Sequence, residues 1–220
     1  MIKLFNWSKP NIKAIKLPEL GWVEGDTTKS IKKWGDADGT MAISLNFFEG
    51  EPDISSLKTI DGLRQYYRDT ISSSQGAIIE VELVVLHGVQ CIRTVLKFPQ
   101  DPSGSTYLTS LIIPFAMCSY VVKIQAPELD LSGIRESFII KKLLREDVIS
   151  KTANGYINWS FDPYKADYIS RNLMNRSEEV KWDARFPTHP LTKSRKLMAE
   201  IEKGIHFDQN TQRFQGRSQL

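Results

Sequence analysis

Three histidines, two cysteines and a few closely spaced acids hold most of the reaction chemistry this chain has to offer, and their spacing tests each plan in turn. His87 stands before Gly88 between two β-rich runs, where tolerance of positive φ accounts for it better than a general-base role. His189 precedes a C-terminal helical pattern and His206 follows it, so neither has a partner at ligand spacing, and both read as exposed. Cys91 with one of these histidines is the remaining nucleophile plan, but it shares an expected strand face with Val89 and Val95. A thiol in an apolar layer has a raised pKa, so Cys91 reads as a core residue. Cys118 also lies in a β-rich segment without CxxC or Cys/His spacing, which favours two reduced thiols over a disulfide.

Glu80 and Glu82 fall two positions apart on one strand face, a carboxylate pair suited to acid–base work inside a cleft and otherwise a solvated surface. Asp101-Pro102-Ser103-Gly104-Ser105 lacks both the Walker lysine and the Rossmann glycine spacing, so it reads as a turn. A long hairpin loop on a rigid sheet still suits contacts. The residues expected to meet a partner are therefore Ser103 and Ser105 in the loop Pro99 to Ser105, with Tyr107, Thr109, Lys123 and Gln125 on the outward sheet face. No cofactor and no metal is implied.

The elements that would position these groups follow from periodicity. Ile31 to Phe48 reads as two extended runs around Gly35-Asp36-Ala37-Asp38-Gly39, with Met41, Ile43, Leu45 and Phe47 on one face and Ala42, Ser44 and Asn46 on the other. Thr59 is placed to cap a helix to about Gln75, whose stripe Ile60, Leu63, Tyr67 and Ile71 can lie on a sheet while Arg64, Tyr66 and Arg68 point elsewhere. Four strands follow: Ala77 to Leu86, Val89 to Phe98, Thr106 to Pro114 and Tyr120 to Ala126, the first two joined by the His87-Gly88 turn. Ser132 can cap a second helix to about Arg145. Residues 146 to 187 carry Trp159, Phe161, Tyr164, Tyr168 and Trp182 without a sustained period, which predicts an irregular aromatic extension wrapping the domain. Pro190 opens a final helix with Leu191, Leu197, Met198, Ile201 and Ile205 on its apolar side.

The fold class is thus α+β: a twisted antiparallel sheet made of a hairpin, a helix, a four-strand meander and a helix, flanked by helices. Residues 1–145 form the sheet domain, 146–208 an extension and helix packed on it, and 209–220 a disordered tail too polar to fold. With 41% hydrophobic and 25% charged residues the composition is globular. The apolar runs fall short of a signal peptide or a spanning helix, so a cytoplasmic protein without a membrane partner is expected. Charge is uneven: residues 1–34 carry seven basic and three acidic groups, 35–180 fourteen and nineteen, and 181–220 eight and four. Basic ends without interleaved aromatics on a basic stripe argue against nucleic acid.

The order of hairpin, helix, meander and helix over Ile31 to Arg145, with the Leu63 to Arg68 helix ahead of the His87-Gly88 hairpin, resembles the Mog/PsbP-like arrangement. That resemblance implies a fold whose members are mostly non-enzymatic, among them a small-GTPase-binding protein, photosystem accessory subunits and bacterial secretion-effector chaperones. Phe161 to Tyr164 and Trp182 to Leu197 lie outside it, and Phe186 to Leu191 is similar to uncharacterised bacterial proteins. The expected function is a non-enzymatic bacterial protein-binding module of chaperone or immunity type, whose partner is another protein. The alternative is a hydrolase or small-ligand-binding enzyme with a site between sheet and extension, using acids such as Glu80 or Asp162.

Overall fold

Alternating apolar and polar residues build long strands because successive side chains point to opposite faces, and here they assemble a single large sheet. The computed structural model describes residues 9–50, 59–129 and 133–208. The elements are β1 (Ile15–Lys16), β2 (Val23–Glu24), β3 (Ile31–Gly35), β4 (Ala42–Glu49), α1 (Ile60–Ser72), β5 (Ala77–Leu86), β6 (Val89–Pro99), β7 (Ser105–Phe115) and β8 (Cys118–Pro127). They continue as α2 (Ile134–Arg145), β9 (Ser150–Thr152), β10 (Gly155–Ile157), β11 (Ser160–Phe161), β12 (Met174–Asn175), α3 (Pro190–Gly204) and β13 (His206–Phe207).

Strands β2 to β8 form an antiparallel sheet in the order β2-β3-β4-β8-β7-β6-β5. The expected meander is present as β5 to β8. The early hairpin extends it by pairing β4 with β8, so that Leu45 lies opposite Val122, which lies opposite Leu111. His87 and Gly88 both take positive φ, 48° and 80°, as a two-residue hairpin turn matching strand twist requires.

The two faces are covered differently. On the inner face Ile43, Leu45, Leu111, Val122 and Ile124 are buried under α3, whose Leu191, Met198 and Ile201 complete the main core. The N-terminal Ile12, Ala14 and Ile15 join it, β1 being held against β13. On the outer face α1 lays Leu63, Tyr67 and Ile71 on Ile78, Val81, Ile92 and Leu96. Thr59 Oγ1 accepts from the Gly62 N–H at 3.1 Å, the expected cap. Gly76 brings the chain from α1 into β5 where a Cβ would sit 2.8 Å from Phe98 and 2.9 Å from Ile71, a contact only glycine permits.

Several details depart from the sequence reading. Arg68, which points away from the stripe of α1 as expected, is nonetheless buried, because the extension returns over α1 with the Asp162 carboxylate to receive it. That extension is not wholly irregular: β9 pairs β10, β11 pairs β12, and Trp159, Trp182 and Phe186 pack on Ile139, Leu143 and Ile149. The sheet edge at β5 is capped from both elements: the Val81 N–H donates to Tyr164 Oη of the extension at 2.9 Å, and the Val81 carbonyl accepts from Arg64 Nε of α1 at 3.3 Å. The residue at the α2 N-cap is Gly133, with φ 81° and no side-chain cap, and Ser132 lies outside the described residues, as does the tail 209–220.

Candidate functional site

The loop between β6 and β7 is closed by the Gln100 N–H donating to the Gly104 carbonyl at 3.1 Å. Glu128, just past β8, staples it: its Oε2 accepts from the Ser105 N–H at 3.0 Å and its carbonyl from Gln100 Nε2 at 3.2 Å. The other carboxylate oxygen lies 2.9 Å from Nε2 of His189, whose Nδ1 accepts from the Leu191 N–H at the start of α3. His189 is thus a half-buried helix cap, not the exposed residue expected, while His206 is exposed. The loop is anchored to both the sheet and α3.

The six residues expected to meet a partner do not share one surface. Lys123 and Gln125 lie on the outer face of β8, opposite Ser44 and Ala42 of β4, with Gln125 exposed and Lys123 half-buried. Ser103 is exposed and Ser105 half-buried at the loop. Tyr107 and Thr109 require correction: they are buried on the inner face at 2% and 0% exposure. Register is the reason, because β7 pairs Tyr107 with Ala126 and Thr109 with Ile124, both core residues of β8, and directly opposite residues share a face. Thr109 Oγ1 donates to Ser194 Oγ of α3 at 3.1 Å.

The outer face beyond α1 is therefore a strip across β4, β8 and β7. Ala42, Phe48 and Gln125 are exposed and Asn46, Val121 and Leu108 are half-buried. Asn46 Nδ2 donates to the Val121 carbonyl at 3.0 Å, fixing the polar middle of the strip. Phe48, 48% exposed, is a member that the sequence reading missed. The alternation that places Ala42, Ser44 and Asn46 outward carries on to it, but only the pairing of β4 with β8 brings it beside Lys123's strand.

Below the loop, between the sheet end, α2 and the extension, lies a polar cavity of about 320 Å³ lined by Lys97, Ser105, Glu136, Trp159 and Asn175. Lys97 Nζ donates to Glu178 at 2.9 Å, both side chains being buried. Burial pushes the Glu136 carboxyl above its ordinary range, the neighbouring Lys97 charge pulls it back, and the charges of Glu178 and Glu128 push it further up. Arg135, 1% exposed, binds the Ser177 carbonyl at 2.6 Å, Thr192 Oγ1 at 2.9 Å and Asp183 Oδ1 at 2.9 Å, tying α2 to α3.

The acids offered for catalysis are all engaged. Glu80 Oε1 is 2.6 Å from Arg93 Nε, and Glu82 Oε1 accepts from Arg64 at 3.0 Å and from Tyr164 Oη at 2.8 Å. Burial pushes Asp162 up, but two hydrogen bonds from Arg68 and the N–H groups of Tyr164 and Lys165 more than offset it and leave the carboxyl below its usual range. A carboxylate held so is a weak base. Cys91 and Cys118 are free and buried, with burial pushing the thiols up to about 12 and about 11. Among the described residues no group of three His, Cys, Asp or Glu side chains is arranged to hold a metal ion, and no helix is long and apolar enough to cross a membrane.

No protein-family model and no curated protein matches the chain. Among solved structures, the Ran-binding protein Mog1p of Saccharomyces cerevisiae is similar over 88% of this chain and 90% of its own, at 12% identity and a TM-score of 0.47. The cyanobacterial PsbP of Synechocystis is similar over 66% of this chain and 86% of its own, at 11% identity and a TM-score of 0.40. The order read from the sequence, a hairpin, a helix, a four-strand meander and a helix, is the order the structure itself shows.

Proposed function

We propose that this chain is a non-enzymatic bacterial protein of the cytoplasm that binds another protein through the outer sheet face, masking it as a chaperone or immunity protein does. One observation carries the reading: α3 and the N-terminal segment cover the inner face, whereas among the described residues the cluster under α1 on the outer face takes in β5, β6, Ile112 of β7 and Tyr164 of the extension but no residue of β4 or β8. The remaining strip presents Phe48 at one end, Asn46 in the middle and Lys123 and Gln125 at the other end, a mixed apolar and polar surface on rigid strands of the kind protein interfaces use. The anchored loop with Ser103 and Ser105 adjoins its β7 end. Tyr107 and Thr109 support that surface from beneath rather than contacting a partner.

A photo-crosslinking residue at Gln125, with a second at Lys196 on the exposed side of α3, tests this in the native host. A discrete protein adduct at Gln125 alone, lost on Lys123→Glu with the melting temperature unchanged, is the expected result. Equal labelling from both positions, or none from either, sinks the proposal.

The second reading is a small-ligand-binding protein, favoured by the polar cavity between Lys97, Glu136 and the extension. Ligand-induced stabilisation lost on Asn175→Ala would support it.

A further inference from the structure

A second concavity opens on the inner side of the sheet, where the N-terminal segment passes over β3 and β4. It measures about 520 Å³, within the range of roughly 300–1,000 Å³ common for binding sites. Trp22, Trp34 and Leu45 line it together with Leu17 and Pro18 of the N-terminal segment. Two features fix that wall: β1 is paired to β13, and Pro18 packs so close to Gly204 at the end of α3 that a Cβ there would lie 2.8 Å from it. The groove is preformed rather than a gap between loose segments.

Its rim carries Lys16 and Lys32 against Glu19. None of the ion pairs among the described residues engages either lysine. Between β1 and β2, no backbone hydrogen bond among the described residues engages Leu17 to Trp22. That stretch therefore has main-chain donors and acceptors to offer beside an apolar, tryptophan-lined floor. Extended peptides are recognised by this combination, with main-chain bonds along a wall and one pocket for a side chain.

We infer that this groove docks an extended acidic peptide of another protein, one bulky apolar side chain entering between Trp22 and Trp34 while flanking carboxylates meet Lys16 and Lys32. Charge complementarity selects this occupant over the chain's own ends. Residues 1–8 contain Lys3 and no acid, and residues 209–220 contain Arg213 and Arg217 and no acid. The groove lies on the opposite face of the sheet from Lys123 and Gln125, so its failure leaves the outer-face reading untouched.

The test is fluorescence anisotropy with the full chain and a dye-labelled eight-residue peptide holding a central phenylalanine flanked by glutamates. Saturable binding is expected, about tenfold weaker for the counterpart with lysines for glutamates, for the alanine-for-phenylalanine counterpart, and for the Lys32→Glu protein. Affinity falls as salt rises, because Lys16 is exposed and Lys32 only half-buried. Lys32→Glu leaves the core intact, so its effect is read at an unchanged melting temperature. Absence of saturable binding, equal affinity for the basic peptide, or indifference to Lys32→Glu overturns the inference. So does 3-phenylpropionate competing with the affinity of the whole peptide, which marks a small-molecule pocket. Peptide binding that strengthens on removal of residues 209–220 assigns the groove to the chain's own tail, and a dimer dispersed by the peptide assigns it to a second copy; either result also overturns it.

Discussion

Arg68 of α1 and Asp162 of the extension meet through two hydrogen bonds of 2.8 and 2.7 Å, with side chains only 5% and 3% exposed. Ninety-four residues separate them in sequence, so the pair clamps the extension to the first helix. Removing one partner leaves an uncompensated buried charge, and Asp162→Ala is expected to cost about 3–5 kcal/mol. The apolar double replacement Arg68→Met with Asp162→Leu should recover most of that loss. Urea titrations of the two variants decide it, and a loss in Asp162→Ala well under 1 kcal/mol would refute the clamp.

The same carboxyl sets a pH dependence. Its folded pKa lies below the ordinary value because Arg68 and two backbone N–H groups outweigh burial. Its contribution to stability is therefore complete above the unfolded pKa of roughly 3.9 and disappears as pH falls through the lower folded value. Acid unfolding of the wild type, compared with the double variant, should show this stretch of the profile flattened.

Glu136 behaves in the opposite sense. Burial, with Glu178 and Glu128 nearby, raises its folded pKa, so the folded state loses stability as pH rises from the unfolded pKa through the folded one. Glu136→Gln, which keeps an acceptor for Asn175 Nδ2, is expected to raise the denaturation midpoint at pH 7 and leave it nearly unchanged at pH 4. A lower midpoint at pH 7 would show that the ionised form is used structurally.

Much of the fold was legible because its signals are local. Thr59 before a 3–4 stripe and His87-Gly88 between period-two runs each name their element from a few neighbouring residues. The pairing of β4 with β8 is different: Leu45 and Val122 are far apart in the chain, and no local pattern tells which strand a hairpin joins. Buried cations were missed for a related reason. Nothing local marks Arg68 and Arg135 as buried, because Asp162 and Asp183, which receive them, are brought to them by distant segments. The site was only half legible, because alternation gives two faces per strand but not which face of β7 matches which face of β8.

The extension completes the core, which a truncation tests. We propose that residues 146–208 fold as one unit with the sheet domain, since α3 supplies Leu191, Met198 and Ile201, all 1% exposed or less. A chain ending at Arg145 would present the inner face to water and is expected to aggregate or unfold without a cooperative transition. An unchanged denaturant midpoint in a monomeric truncated chain would contradict this.

The two faces of the sheet give the last prediction. Tyr107 is 2% exposed, stacks edge-on near His189 with ring centroids 5.6 Å apart, and is surrounded by core residues of β8 and α3. Its truncation in Tyr107→Ala leaves a cavity and is expected to cost about 3–5 kcal/mol. At roughly 2–4 °C per kcal/mol for a chain of this size, the melting temperature should fall by about 10 °C. Lys123→Glu and Gln125→Ala change only the half-open outer face and are expected to stay within about 0.5 kcal/mol of the wild type. Crosslinking from the outer face should respond in the reverse order, reduced by Lys123→Glu and retained by whatever fraction of Tyr107→Ala remains folded. Calorimetry of the three variants beside the crosslinking yield separates the roles: equal stability losses on the two faces would mean that the outer strip is packed core rather than a surface free to meet a partner.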